Sequence, residues 1–294
     1  MLTSTADLRS FVVSQHKLGK KVGFVPTMGA LHEGHLSLVE ASAKQCDATV
    51  VSIFVNPSQF GPNEDFQRYP RTLENDLSLL QKTGYLQAGY MTGGEQDTAV
   101  EVFVPSITEM YPAGFDTSIH VGSVSQILEG KSRPLHFQGV ATVVLKLFLA
   151  SQADTAFFGQ KDFQQICIVR KMVSDLNVPI EIVMCPIVRE PDGLAMSSRN
   201  RYLSASERRQ AVVLSQSLRL AEMMIVQDNI RDAAAVKRAA EQKIRTAPDA
   251  VIEYVSVADS VTLDELQRIE SKPVILLAVK FGTTRLIDNL VLSL

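Results

Sequence analysis

The chain has 294 residues, enough at ~150 residues per domain for two domains with self-standing cores. Hydrophobic residues make up 46% and charged residues 21%, which excludes a disordered, collagen-like or coiled-coil polymer. Twenty-nine Lys and Arg stand against 32 Asp and Glu, a net charge of -3. That is too little positive field to hold nucleic acid by phosphate neutralisation, so small-molecule partners are favoured.

Short β-branched runs alternate with helical patterns through the first two thirds. A strand over Val22 to Val25, a helix from about His35 to Gln45 and a strand over Thr49 to Val55 make a βαβ opening. A helix from Leu73 to about Thr83 follows, then an irregular stretch from Gly84 to Pro105 with two candidate strand pieces that the pattern does not place. Next come a helix over Val140 to Ala150, a strand over Thr155 to Phe158, a helix over Phe163 to Leu176 and a strand over Ile180 to Ile187. This order predicts an α/β fold with a largely parallel sheet, and ligands at the carboxyl ends of its strands.

After Arg189 the character changes. Ser204 to Glu207 has capping-box spacing at the head of a helix running to about Val226. An Ala-rich helix around Asp232 to Arg245 and strands over Ile252 to Val257, Val274 to Lys280 and Leu286 to Leu292 complete a small α+β domain. Cys46, Cys167 and Cys185 are odd in number and form no CxxC pair, which fits a reducing compartment. No secretory pattern and no apolar run of membrane-spanning length is present, so a cytoplasmic protein without a membrane partner is expected.

The most specific segment is GFVPTMGALHEGHLSLVE, residues 23 to 40. An apolar strand stops at Pro26, a glycine-bearing loop turns, and His32 and His35 fall three apart on one face at a helix N-terminus. Two imidazoles there, backed by unpaired N–H groups and the positive dipole end, can bind triphosphate and stabilise charge as diphosphate leaves. This is the HxGH logic of nucleotidyl transferases; the bland alternative is two surface histidines capping a loop. His32-Glu33-Gly34-His35 lacks the spacing of a zinc HExxH, and Gly130-Lys131-Ser132 lacks the upstream glycine of a phosphate-binding P-loop.

Four further segments follow strands or open helices. Asn56 and Gln59, in FVNPSQF, are amides that can orient a polar acid; the plain alternative is an Asn-Pro turn. Lys131, Arg133 and His136 precede a helix entered near Gly139. Gly159, Lys161 and Asp162 occupy the turn after a buried strand, with Gln165 one helical turn on, where Lys161 can clamp phosphate or merely cap a helix. Met196-Ser197-Ser198-Arg199 offers two hydroxyls and a guanidinium for β- and γ-phosphates, parallel to the KMSKS loop of class I synthetases.

Taken together, VPTMGALHEGH, FVNPSQF, RYPRT, HFQGV, FGQKDFQQ and SSRN, in that order, resemble the pantothenate synthetase (pantoate:β-alanine ligase) family from about Gly23 through Leu203, more weakly beyond. The resemblance implies a Rossmann-like nucleotidyl-transferase domain with a parallel sheet over 1–187, and a smaller α+β domain over 188–294 that moves over the site, in a cytoplasmic homodimer. It implies ATP-dependent condensation of (R)-pantoate with β-alanine to pantothenate, AMP and diphosphate through a pantoyl adenylate, with Mg2+ accompanying ATP.

By the same resemblance ATP lies along Met28, Gly29, Ala30, Leu31, His32, Glu33, Gly34 and His35, along Gly159, Gln160, Lys161 and Asp162, and along Val188, Met196, Ser197, Ser198 and Arg199. Pantoate is held by Gln59 and Gln165 against Pro26 and Phe158, and β-alanine also by Gln59. His32, His35, Lys161, Ser197, Ser198 and Arg199 are the expected catalytic set. Magnesium takes its ligands from phosphates and water, with Asp76 the one candidate protein ligand.

Three positions depart from the family pattern: Leu135 stands where glycine is usual before His136, the region Tyr85 to Val104 is longer than is typical, and Leu73-Glu74-Asn75-Asp76 keeps only part of the usual acidic character. Two other readings remain open at this point. One is a different HxGH nucleotidyl transferase acting on a phosphate-bearing acceptor, and the other a nucleotide-binding regulator without turnover.

Overall fold

The computed structural model describes residues 1–62, 64–84, 99–270 and 272–294. The chain forms two units, Met1–Gly159 with Ile168–Cys185, and Gln160–Cys167 with Pro186–Leu294. The octapeptide Gln160–Cys167, expected within a domain spanning 1–187, thus groups with the later part of the chain.

The first unit begins with a helix absent from the elements expected from sequence, α1 (Thr5–Lys17). Ser4 caps it through a bond from the Asp7 N–H at 3.0 Å, and Leu8, Phe11 and Val12 form its buried face. Then come β1 (Val22–Thr27), α2 (Glu33–Gln45), β2 (Ala48–Ile53), α3 (Leu73–Lys82), β3 (Ala99–Phe103), the single turns α4 (Ile107–Met110) and α5 (Glu129–Ser132), α6 (His136–Ser151), β4 (Thr155–Gly159), α7 (Phe163–Asp175) and β5 (Glu181–Cys185). α6 starts well before the Val140 expected, because Leu135 and His136, read as loop, already begin its first turn. β3 supplies a strand within the stretch from Gly84 to Pro105 that the pattern does not place; residues 85–98, most of the Tyr85 to Val104 region expected to be long, lie outside the described residues.

The five strands are parallel in the order β3-β2-β1-β4-β5. Every residue of β2 is buried, as expected of a central strand covered on both faces. The strand order reverses direction between β1 and β4, and these two pair only at Gly23↔Thr155 and Phe24↔Ala156. Beyond that point their carboxyl ends separate, and an open α/β sheet places its ligand crevice at such a switch point.

The second unit holds the start of α7, then α8 (Ala205–Ala211), α9 (Val213–Val226), α10 (Ala233–Ile244), β6 (Ala250–Asp259), β7 (Pro273–Phe281) and β8 (Thr284–Val291). The strands form an antiparallel sheet in the order β6-β7-β8. Leu214, Leu218, Ile225, Val236, Val255 and Leu277 are among the buried residues joining helices to sheet. The helix expected from Ser204 to Val226 is divided at Val212, which keeps right-handed dihedrals and no helix-breaking residue to announce the division. The α/β class with a smaller α+β region is as the sequence implied.

Candidate active site

β1 delivers the chain into a loop in which Gly29 and Ala30 both take positive φ, +77° and +50°. Glycine tolerates this region freely; alanine is held there at a cost of about 1 kcal/mol. The restraint comes from Asp76 on α3, fully buried. Its Oδ2 accepts from the Ala30 N–H and its Oδ1 from the Leu31 N–H, both at 2.9 Å, and Thr72 Oγ1 donates to Oδ1 at 3.0 Å. Asp76 therefore shapes the loop from behind, with both oxygens committed to it.

His32 is the N-cap of α2. Its Nδ1 accepts from the Gly34 N–H at 3.1 Å, and His35 Nδ1 accepts from the His32 N–H at 3.3 Å. The rings lie 4.1 Å apart between centroids. A nitrogen that accepts carries no proton, so this reciprocal cap puts the proton of each neutral ring on Nε2, making that atom a donor. Both imidazoles are thus oriented as N–H donors at the positive end of α2, the arrangement that stabilises charge building on phosphate oxygens. Glu33 and Gly34 form the first turn of α2.

Gln59 and Asn56 sit beyond β2 on a 3-10 turn, Pro57–Gln59. Both are buried. Asn56 is saturated within the protein: Nδ2 donates to Gln59 Oε1 and to the Gly139 carbonyl, each at 3.2 Å, while Oδ1 accepts from Tyr111 Oη at 2.7 Å and Ser58 Oγ at 2.9 Å. It is a brace, and Gln59 is the amide it orients; Gln59 Nε2 lies 2.7 Å from Met28 Sδ. α6 approaches this turn so closely that a Cβ on Gly139 would fall 2.3 Å from the Ser58 carbonyl oxygen.

His136, at the start of α6, supports the same turn from the other side. Its Nδ1 is 2.8 Å from the Gln59 carbonyl and its Nε2 3.0 Å from Arg133 Nη1, so Nδ1–H donates and Nε2 accepts. Arg133 in turn donates through Nε to Glu64 at 2.8 Å. Desolvation, with the Arg133 charge beside it, lowers the His136 pKa to about 4; although Glu64 is partly desolvated, its bonds with Arg133 bring its carboxyl below the usual range. Arg133 and His136 thus brace Gln59. Pro26 lies in β1 and Phe158, buried, in β4. Lys131 is exposed on α5.

In the second unit, Gln160, Lys161 and Asp162 form a 3-10 turn continuing from Gly159, and Lys161 Nζ lies 3.6 Å from Asp162 Oδ2. Gln165 is half-buried in the first turns of α7. Val188 and Met196 close a hairpin, with the Met196 N–H donating to the Val188 carbonyl at 3.0 Å. Directly after it, Ser197 caps the 3-10 helix Ser198–Tyr202, accepting from the Arg199 N–H at 3.3 Å. Tyr111, Glu64 and Asp76 are supports whose partners are distant in sequence, and Thr72 acts through Asp76, four residues on. Nothing local announces them except the polar residue types themselves.

The parallel sheet with its order reversing between β1 and β4 defines a Rossmann-like α/β protein. The chain belongs to the pantoate-beta-alanine ligase family, whose model matches residues 1–291, and it is a ligase. It is 49% identical to the pantothenate synthetase of Acetivibrio thermocellus over 100% of this chain and 99% of that one. Against that of Caldicellulosiruptor bescii it is 50% identical, over 98% and 96%. The crystal structure of pantothenate synthetase from Thermus thermophilus superposes with a TM-score of 0.88 at 43% identity, covering 98% of each chain. A Francisella tularensis pantoate-beta-alanine ligase, complexed with beta-gamma ATP and beta-alanine, gives 0.75 at 33% identity over 99% of this chain and 97% of that one.

Proposed function

We propose that this chain condenses (R)-pantoate with β-alanine in an ATP-dependent reaction that yields pantothenate, AMP and diphosphate through a pantoyl adenylate. The observation that carries the reading is the extent of the family match, residues 1–291, which includes every segment singled out from sequence. The pantoate carboxylate attacks the α-phosphorus of ATP, the bond to the bridging oxygen breaks, and diphosphate leaves. The neutral amine of β-alanine then attacks the acyl carbon, the bond from that carbon to the bridging oxygen breaks, AMP departs with that oxygen, and the amine's proton is released to solvent.

Neither step needs a covalent enzyme nucleophile; both need orientation and charge stabilisation. His32 and His35, donating through Nε2, are assigned to the α-phosphate and the leaving oxygen. Lys161, Ser197, Ser198 and Arg199 are assigned to the polyphosphate. Met28 through His35, Gly159 through Asp162, Val188 and Met196 line ATP, while Gln59 and Gln165, with Pro26 and Phe158, hold pantoate and Gln59 also meets β-alanine. A neutral amide orients the pantoate carboxylate without quenching its nucleophilicity, as an arginine would.

Magnesium enters as part of the MgATP substrate, since the oxygens of Asp76 are turned to the loop backbone. The reading extends to a homodimer in the cytoplasm, where three cysteines without a disulfide fit a reducing environment. No helix among the described residues is long and apolar enough to cross a membrane.

The test is isotopic. With (R)-pantoate labelled by 18O in its carboxylate, turnover in the presence of ATP, magnesium and β-alanine must give AMP carrying one 18O atom. Unlabelled AMP, or ADP as product, contradicts an acyl-adenylate route.

A further inference from the structure

β8 alternates buried and partly buried residues from Thr284 to Asp288, as a strand with one covered face does, but the pattern breaks at Asp288-Asn289, where both neighbours are buried. Two consecutive polar side chains point to opposite faces of the strand, and each is fully used.

Asn289, 2% exposed, donates through Nδ2 to the carbonyls of both Gln160 and Lys161, at 3.0 and 2.9 Å, and its Oδ1 accepts from Gln160 Nε2 at 3.1 Å. Holding two successive carbonyls and one side chain fixes the turn's position and its rotation about the chain axis, and hence the direction in which Lys161 leaves it. Asp288, also 2% exposed, receives a bidentate pair from Arg189 at 2.7 and 2.9 Å. Arg189 Nη1 also donates to the Gly193 carbonyl at 3.1 Å, at the tip of the hairpin that leads into Met196–Arg199. Arg189 and Ala195 form the hairpin's bridge.

The geometry points to the Asp288-Asn289 dipeptide as a positioning element for the adenylation step: one strand position sets both the Lys161 turn and the hairpin before Ser197, Ser198 and Arg199. The inference rests on the phosphate roles given to those residues under the proposed function. Asn289 and Asp288 touch no substrate in this scheme; they act through the backbone and through Arg189. A charge clamp misplaced by an ångström loses on the order of 100-fold in rate.

Pantoate-dependent exchange of labelled diphosphate into ATP, with magnesium and without β-alanine, reads the step. An inactive wild-type chain overturns the functional reading and with it this role; an active one isolates the clamp. Asn289→Asp keeps the shape but cannot donate to the two carbonyls, and Asn289→Ser keeps a single shorter donor. Both are expected to lower kcat, the first on the order of 100-fold, with KM for pantoate little changed.

Val279→Ala, in the same sheet but paired with Leu286, is the control for general destabilisation and should exchange at the wild-type rate per folded molecule. Should Asn289→Asp fail to fold, Asn289→Ser gives the same reading against this control. Wild-type kcat in the Asn289 variants, or an equal loss in Val279→Ala, overturns the proposal. Asp288→Asn at the wild-type rate removes the Arg189 arm.

Discussion

Asp76 accepts the Ala30 N–H at 2.9 Å across 46 residues of sequence, and with the Leu31 bond it holds the loop that aims His32 and His35. Asp76→Asn replaces one acceptor oxygen with a donor facing a backbone N–H. The substitution is expected to cost about 1–3 kcal/mol in urea unfolding and to lower kcat, while the magnesium dependence of the remaining activity stays as in the wild type. A large rise in the magnesium concentration needed would instead make Asp76 a metal ligand.

The lowered pKa of His136, about 4 against 6.5, makes stability depend on pH in a defined window. The unfolded chain takes up a proton near pH 6.5 while the folded one stays neutral, so the contribution is present above 6.5 and is lost as pH falls toward 4. The loss is of the order of 3 kcal/mol over that interval. Unfolding free energies measured across it should fall in the wild type and fall much less in His136→Asn. Equal slopes would show that the ring is not the group responsible.

Leu135 takes φ +72° at the N-cap of α6 and is 72% exposed. A leucine there is strained by about 1–2 kcal/mol, of which glycine recovers a part after its own entropy loss. Leu135→Gly is therefore expected to raise Tm by roughly 1–3 °C. A lowered Tm would mean that the leucine side chain makes a compensating contact.

Gln59 is oriented by Asn56, itself bonded to Tyr111 and to the Gly139 carbonyl. Gln59→Ala is expected to raise KM for pantoate at least tenfold, the equivalent of one lost hydrogen bond of about 1.4 kcal/mol, with KM for ATP little changed. An unchanged KM for pantoate would remove Gln59 from that site.

The sheet's inner strands and the helix carrying His35 were legible because Val22 to Val25 and Thr49 to Val55 are apolar runs and the intervening segment has helical spacing. α1 was legible in principle, since Ser4 and Leu8, Phe11 and Val12 carry a cap and a face, but its mixed polarity weakens the signal. The roles of Asp76 and Asn289 were not. An acidic residue in the first turn of a helix reads as a dipole partner or a metal ligand, and only tertiary packing brings Ala30 and Leu31 to it. The Asp288-Asn289 pair within an apolar strand was the one local hint that both faces of β8 are covered there.

The central claim, formation of a pantoyl adenylate, is tested most directly by pantoate-dependent exchange of labelled diphosphate into ATP without β-alanine. The wild-type chain should exchange, and His35→Ala should lose exchange by orders of magnitude while remaining folded. Absence of exchange in a folded wild-type chain that binds ATP would contradict the account.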